Sequence, residues 1–313
     1  MFSRRVFLGI PVLGLVPPQR PARELSFPAP LPITRLLFGG DVMLSRYVGT
    51  IALQRNDPAW PLRDLAPMLA AADISFVNLE APFSDLGRVV DSGMVFKAEP
   101  EMIEALRLAG IDIVSTANNH ARDCGGHGVE FTLEWLRRNG IANVGTGPDD
   151  AAAHAGTVLA RNGARFGFLA YTYDQSNGNH RDFDPRVAVM DIGRMRADVA
   201  ALRRRADVAI VSMHAGIEYQ SHPNAQQKDF AHAAVDAGAS LVIGHHPHVV
   251  EPVEEYGGGV IFYSLGNLVF DQFQRAETQR GLLAEVLFRG RRLERYRMMP
   301  VRIVRTVPRI VAS

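Results

Sequence analysis

From Ile33 onward, short unbroken apolar runs alternate with longer stretches in which apolar positions recur every three or four residues. The runs "ITRLLFG" (33–39), "DISFV" (73–77), "IDIVST" (111–116), "RFGFLAY" (165–171), "DVAIVSM" (207–213), "ASLVIG" (239–244) and "GVIFYSL" (259–265) are rich in branched residues and are bounded by Gly, Asn or Asp. That length and composition predict buried strands. "EPEMIEALRLAG" and "GVEFTLEWLRRNG" carry helical spacing, with Gly110 and Gly140 placed to stop each helix. "IGRMRADVAALRRRA" and "NAQQKDFAHAAVDAG" read as amphipathic helices in the same way. Alternation of this kind predicts an α/β fold with buried sheets and helices outside. There is no internal repeat and no second domain boundary within 33–313.

The polar residues that interrupt this pattern fall at one recurring place. "LLFGG" is followed by Asp41, "ISFVN" carries Asn78 and Glu80, and "IVSTA" leads to Asn118, Asn119 and His120. "VAIVSM" runs into His214, and "SLVIG" into His245-His246-Pro247-His248. An Asp or His after one strand is an ordinary turn residue; the same placement after five strands predicts convergence, because open α/β sheets bind ligands beyond the carboxyl ends of their strands. Carboxylate, amide oxygen and imidazole together suit Mn, Fe or Zn better than Ca, which prefers oxygen alone. Two such ions roughly 3.5–4 Å apart would activate a water and hold the attacked group. His120 is placed to protonate a leaving group while Asn119 ligates. Asp123, three residues on, either hydrogen-bonds near His120 or closes a turn.

Composition narrows the function classes. With 47% hydrophobic residues in 313, the chain can bury a substantial core, and a formal net charge of +1 provides no field for nucleic acid. Lys97 and Lys228 are the only lysines, so the positive charge is almost all arginine. The single cysteine, Cys124, excludes an intramolecular disulfide framework and a cysteine-rich metal site. In the tail, "RGRRLERYRMMPVRIVR" interleaves apolar residues with arginines at strand spacing, which predicts terminal strands with solvated arginines.

The start of the chain has a different pattern. "SRRVFLGIPVLGLV" places Arg4 and Arg5 before a short apolar stretch, too brief for a membrane span of about 20 residues. Residues 1–22 are accordingly expected to be a twin-arginine-like signal or an N-terminal anchor, and 23–32 a proline-rich linker. The expected location is extracytoplasmic, at the periplasm or cell surface.

Six ordered segments, "GDVML", "NLE", "NNHARDCGGHG", "HAGIEY", "GHHPHV" and "SLGNLVFD", resemble the CapA family of bacterial capsule (poly-γ-glutamate) synthesis proteins, from about Ile33 to Asp271. That family is similar to the calcineurin-like metallophosphoesterases, so the resemblance implies a four-layer αββα sandwich of two stacked sheets flanked by helices. It implies Asp41, Glu80, Asn119, His214, His246 and His248 as metal ligands, with His120 as proton donor. The wider superfamily opens on Asp-x-His, whereas this chain has Asp41-Val42-Met43, which implies one lost ligand.

The expected function is an exported CapA-like protein acting by metal-dependent hydrolysis of an anionic polymer, ester or amide. The alternatives are a general metallophosphoesterase and a non-catalytic polymer-binding or transport accessory. Expected partners are an anionic polymer or small-molecule substrate and membrane proteins of capsule synthesis, with no nucleic acid. Glu218 and Tyr219 are read as supports of the ligands or as loop packing, Arg46, Lys97 and Arg122 as contacts to an anionic substrate, and Asn267 as a cleft or turn residue. His154, His180, His222 and His232 match no motif.

Overall fold

The reason the strands read as unbroken apolar runs is visible in β1 (Ile33–Val42) and β2 (Ile74–Leu79), which pair in parallel. Leu36, Phe38, Ile74 and Phe76 point one way, into a layer shared with a second sheet, while Leu37, Val77 and Leu79 point the other way, toward helices. With both faces buried, both are mostly apolar. The computed structural model describes residues 31–87, 94–173 and 184–311. The signal expected over 1–22, the linker up to residue 30, and His180 lie outside the described residues.

The first sheet runs β14 (Val307–Ile310), β13 (Arg292–Val304), β12 (Arg280–Arg289), β1, β2, β3 (Ile113–Ser115), β4 (Ala142–Val144), with β11 (Asn267–Val269) beside the end of β1. The second runs β5 (Thr157–Arg161), β6 (Ala164–Thr172), β7 (Val208–His214), β8 (Leu241–His245), β10 (Gly259–Phe262), β9 (Val253–Tyr256). Between them Leu36, Phe38 and Phe76 meet Phe166, Phe168, Ile210 and Ile243, and the Phe76 and Phe168 rings stack with centroids 5.9 Å apart. On the outer face of the first sheet pack α1 (Arg46–Gln54), α2 (Ala66–Ala70), α3 (Ile103–Leu108) and α4 (Gly125–Arg138), through Val48, Leu69, Leu106 and Leu136. On that of the second pack α5 (Asp150–Ala155), α6 (Ile192–Leu202) and α7 (Ala225–Asp236), through Ala153, Val199 and Phe230. These three apolar layers make the αββα sandwich that the resemblance implies.

Two segments differ from the sequence pattern. α4 begins at Gly125, so "GGHG", which reads as the end of a loop, forms the first turn of the helix. Three glycines disguise it, yet space requires one of them: a Cβ on Gly128 would lie 2.4 Å from the Cβ of Cys124. The sequence pattern does not mark β12 as a strand; it lies antiparallel to β1 and joins to the sheet β13, a strand expected within the arginine-rich tail, and β14, which lies beyond that segment. Gly110 and Gly140 follow their helices at φ of 70° and 71°, as the stop signals require.

One irregularity in β1 positions the site. Phe38 stands opposite Phe76, but Asp41 stands opposite Asn78, so β1 uses one residue more than β2. Strict alternation would place Asp41 on the face of Leu37, toward the helices; the bulge brings it onto the face of Phe38, toward the second sheet. Gly40 permits this, because a Cβ there would fall 1.8 Å from the carbonyl oxygen of Gly266, which accepts the Asp41 N–H at 3.0 Å.

Candidate metal centre and cleft

The parallel strands deliver their carboxyl ends to a common edge. Asp41 is the penultimate residue of β1, Glu80 follows β2, His214 ends β7, and His245 ends β8 in register with His214. Asp41 lies at the hub. Its Oδ1 accepts from Asn78 Nδ2 at 2.8 Å and lies 3.4 Å from His245 Nδ1. Its Oδ2 lies 3.3 Å from both the His246 backbone N–H and His248 Nδ1. His248 Nε2 reaches to 3.5 Å from Glu80 Oε1. His246 and His248 flank Pro247 at φ of 98° and 60°, a strained loop for residues with side chains, of the kind that clusters at functional sites.

Asp41, Glu80 and His214, all buried, offer ligand atoms within 4.8 Å of one another. Glu80 Oε1, both ring nitrogens of His245 and His246 Nδ1 are buried without a hydrogen-bond partner. Buried carboxylates and orphaned imidazole nitrogens that face one another fit a cation. His214 Nε2 and Asn119 Oδ1 are hydrogen-bonded at 2.8 Å, which brings the Asn119 amide to the same group. The residues present therefore fit a divalent metal.

The electrostatics agree with this chemistry. Burial opposes charge on Asp41, but the His245 and His248 imidazoles outweigh it and hold the carboxyl well below its ordinary range. Burial, then the charges of Asp41 and Glu218, push Glu80 well above its own. Burial and the neighbouring His246 keep His214 neutral, and burial with His248 brings His246 down to about 3. Neutral imidazoles are the form that ligates.

Beside this group opens a cleft of about 480 Å³, bordered by Asn119, His120, Tyr173, Glu218, Tyr219 and His248 among others. His120 Nδ1 lies 2.7 Å from Asp123 Oδ2, which also accepts the Phe96 N–H at 2.6 Å, and the imidazole stacks on the Phe96 ring at 3.8 Å between centroids. Asp123 itself is fully buried and sits behind His120 rather than on the cleft wall. All eight residues that the sequence pattern and resemblance single out, Asp41, Glu80, Asn119, His120, Asp123, His214, His246 and His248, thus come to one place.

The weaker candidates divide. Glu218 and Tyr219 border the cleft, and the Tyr219 N–H holds the Pro247 carbonyl at 2.8 Å. Arg46 is paired with Asp271 at 2.7 Å, Lys97 with Glu99 at 3.0 Å and Arg122 with Asp184 at 2.9 Å. Cys124 is buried, its thiol pushed up to about 11 by burial, then by Asp123. Met43 is packed in the core with its sulfur 3.2 Å from the Ser45 N–H. His154 is buried against Asp198, and His232 pairs with Glu254.

Three residues that the sequence places at strand ends or in the cleft, without assigning them to the metal or the proton, join the constellation. Asn78 donates to Asp41 and lies 3.3 Å from His214 Nδ1; His245 faces Asp41; and Asn267 holds His248 Nδ1 at 3.0 Å while donating to Gln272 and the Thr278 carbonyl. Their motifs "NLE", "GHHPHV" and "SLGN" were the available signal.

Two stacked sheets flanked by helices, with the polar group at their strand ends, give a metallophosphoesterase-like fold. The NAD nucleotidase (NadN) of Haemophilus influenzae shares the fold with a TM-score of 0.53 at 10% identity, over 90% of this chain and 60% of that one. Residues 35–272 match the family described as bacterial capsule synthesis protein PGA_cap, and the chain belongs to that family. It is 30% identical over 275 residues to the PGA biosynthesis protein CapA of Bacillus subtilis (strain 168), covering 87% of this chain and 72% of that protein. To the capsule biosynthesis protein CapA of Bacillus anthracis it is 30% identical over 245 residues, 74% of this chain and 59% of that protein.

Behind the His246–His248 loop, Glu251 is buried with only Gln227 Nε2 bonded to its Oε2, at 2.7 Å, and burial pushes its carboxyl up to about 7 from an ordinary 4.5. Between those values the folded protein holds a proton that the unfolded chain has lost. Stability is therefore greatest below the unfolded value and falls as pH rises through the folded one. Glu251→Gln should flatten urea-unfolding stability between pH 5 and 8 and raise it at pH 8. An unaltered pH profile in this variant would remove Glu251 as its source.

Proposed function

We propose that this protein is an exported, metal-dependent hydrolase of capsule or poly-γ-glutamate biosynthesis, acting on an anionic polymer, ester or amide. The observation that carries this reading is the buried Asp41–Glu80–His214 group facing orphaned imidazole nitrogens, beside a cleft on which His120 stands backed by Asp123. Asp41, Glu80, Asn119, His214, His246 and His248 would hold one or two divalent ions, Mn, Fe or Zn by donor type. The ion would supply Lewis acidity, polarising the attacked group and favouring a water nucleophile at neutral pH. Asn78 and Asn267 orient Asp41 and His248 through the hydrogen bonds described. Asp123 fixes the His120 ring with Nδ1 engaged, so Nε2 serves the leaving group across the cleft.

Met43 favours a second reading, a non-catalytic accessory with one metal, because its side chain belongs to the core. Metal analysis of the purified protein, followed by turnover of a panel of phosphoesters and γ-glutamyl polymers, decides between them. Bound metal with no turnover across the panel would sink the hydrolase reading and favour the accessory.

Among the described residues no helix is long and apolar enough to cross a membrane. Export is tested at Arg4 and Arg5: replacing both with lysine should block twin-arginine transport and leave the soluble folded protein in the cytoplasm. Undiminished secretion of that variant would rule out the twin-arginine route.

A further inference from the structure

Strands β12, β13 and β14, which the metal centre does not use, form one side of the first sheet, with β14 at its edge. There Arg280 of β12 stands opposite Arg302 of β13, and Arg302 opposite Arg309 of β14. Opposed residues of paired strands share a face, so the three make a row across three strands. Leu282 and Pro300, the next opposed pair on that face, show which face it is, because Leu282 joins the layer between the sheets. The row lies where that layer ends, and all three arginines are exposed.

Like charges placed directly opposite each other destabilise a strand pair. Arg309 is compensated by Asp64 at 3.0 Å, but Arg280 and Arg302 have no acidic partner among the described residues. They border a groove of about 500 Å³ with Val250, Gln279, Leu282 and Pro300. Among the described residues no arginine or lysine borders the metal-centre cleft, whereas two border this groove. The segment 271–279 borders both places, through Gln272 at the cleft and Gln279 at the groove.

We propose that this groove is a second binding site, for a segment of an aliphatic polyamide bearing carboxylates. The choice of polymer rests on the capsule reading above; the basic site does not. Guanidinium forks match carboxylates in bidentate geometry, and neighbouring strands present them about 4.8 Å apart. Val250, Leu282 and Pro300 suit methylene groups, and Gln279 suits chain amides. Single-stranded nucleic acid is commonly held by aromatic platforms that stack its bases, and the groove lining has none among the described residues.

The test compares the full chain with an Arg280→Gln/Arg302→Gln variant, titrating fluorescently labelled γ-linked polyglutamate by anisotropy over a salt series. The variant should bind about 10-fold more weakly or worse, with a shallower salt dependence. Its metal content should be unchanged and its thermal midpoint equal or higher, since a like-charge pair has been removed. Unchanged polymer affinity overturns the proposal. So does equal, arginine-dependent binding of an oligodeoxynucleotide of the same length, because the groove would then respond to charge alone. Weakened polymer binding at unchanged metal content supports it even if no substrate is turned over, so failure of the hydrolase reading is scored separately.

Discussion

Asp41→Ala is expected to lower affinity for Mn, Fe or Zn by at least about 100-fold, beyond the 10–100-fold typical of losing a supporting group around a metal. Asp41 is the residue on which both sheets meet: it accepts from Asn78 of the first and faces His245 and His248 of the second. Removing it leaves those imidazoles facing a void. It also relieves Glu80, whose carboxyl Asp41 helps to push up, after burial. Because Glu80 holds its proton well above the ordinary range in the metal-free protein, metal uptake should release protons and tighten as pH rises. His214 and His246, already neutral, should contribute little to that dependence. Titration calorimetry in two buffers of different ionisation enthalpy, with metal analysis by mass spectrometry, measures both effects. Asp41→Asn separates charge from packing, since the amide keeps the volume. Wild-type metal content in both variants would show that Asp41 is not a ligand.

His120→Ala is expected to keep most of the bound metal and lower turnover by roughly 10²–10⁴-fold, the usual scale for a lost general acid. Its ring is held by the Asp123 hydrogen bond and the Phe96 stack and borders the cleft, whereas Asn119 beside it turns toward His214. The backbone thus aims these adjacent side chains apart, the arrangement that separate tasks would need. Asn119→Ala should lose metal as well as turnover. Asp123→Asn keeps the shape but presents an amide to Nδ1, and should lose less turnover than His120→Ala with metal intact. Full turnover in the His120 variant would refute the proton-donor assignment, and loss of its metal would make His120 a ligand.

Much of this architecture was legible in the chain. A strand buried on both faces is apolar at most positions, so β2, β7 and β8 announce themselves as nearly continuous runs, and the polar residue near the end of each marks where the apolar layer gives way to the buried polar site. β12 was missed despite "GLLAEVLF", because its neighbours are arginine-rich and its place was set by pairing with β1, over 240 residues away in the chain. Likewise α4 hid its first turn behind glycines chosen for contact with Cys124 and Arg186 rather than for helix propensity.

What the sequence determined by itself is the inventory: which residue types stand after which strands, a periodicity that demands two buried faces, and the donor set that suits a first-row metal. What only the tertiary structure decided is direction. Alternation alone would turn Asp41 toward the helices; the bulge at Gly39–Gly40, possible because Gly40 lies against the Gly266 carbonyl, turns it toward His245 and His248. Asn78, His245 and Asn267 gained their roles the same way, from contacts across 19 to 204 residues of chain. Local pattern reports whether a side chain is buried. Which groups it meets depends on register, and register is set by strands far apart in sequence.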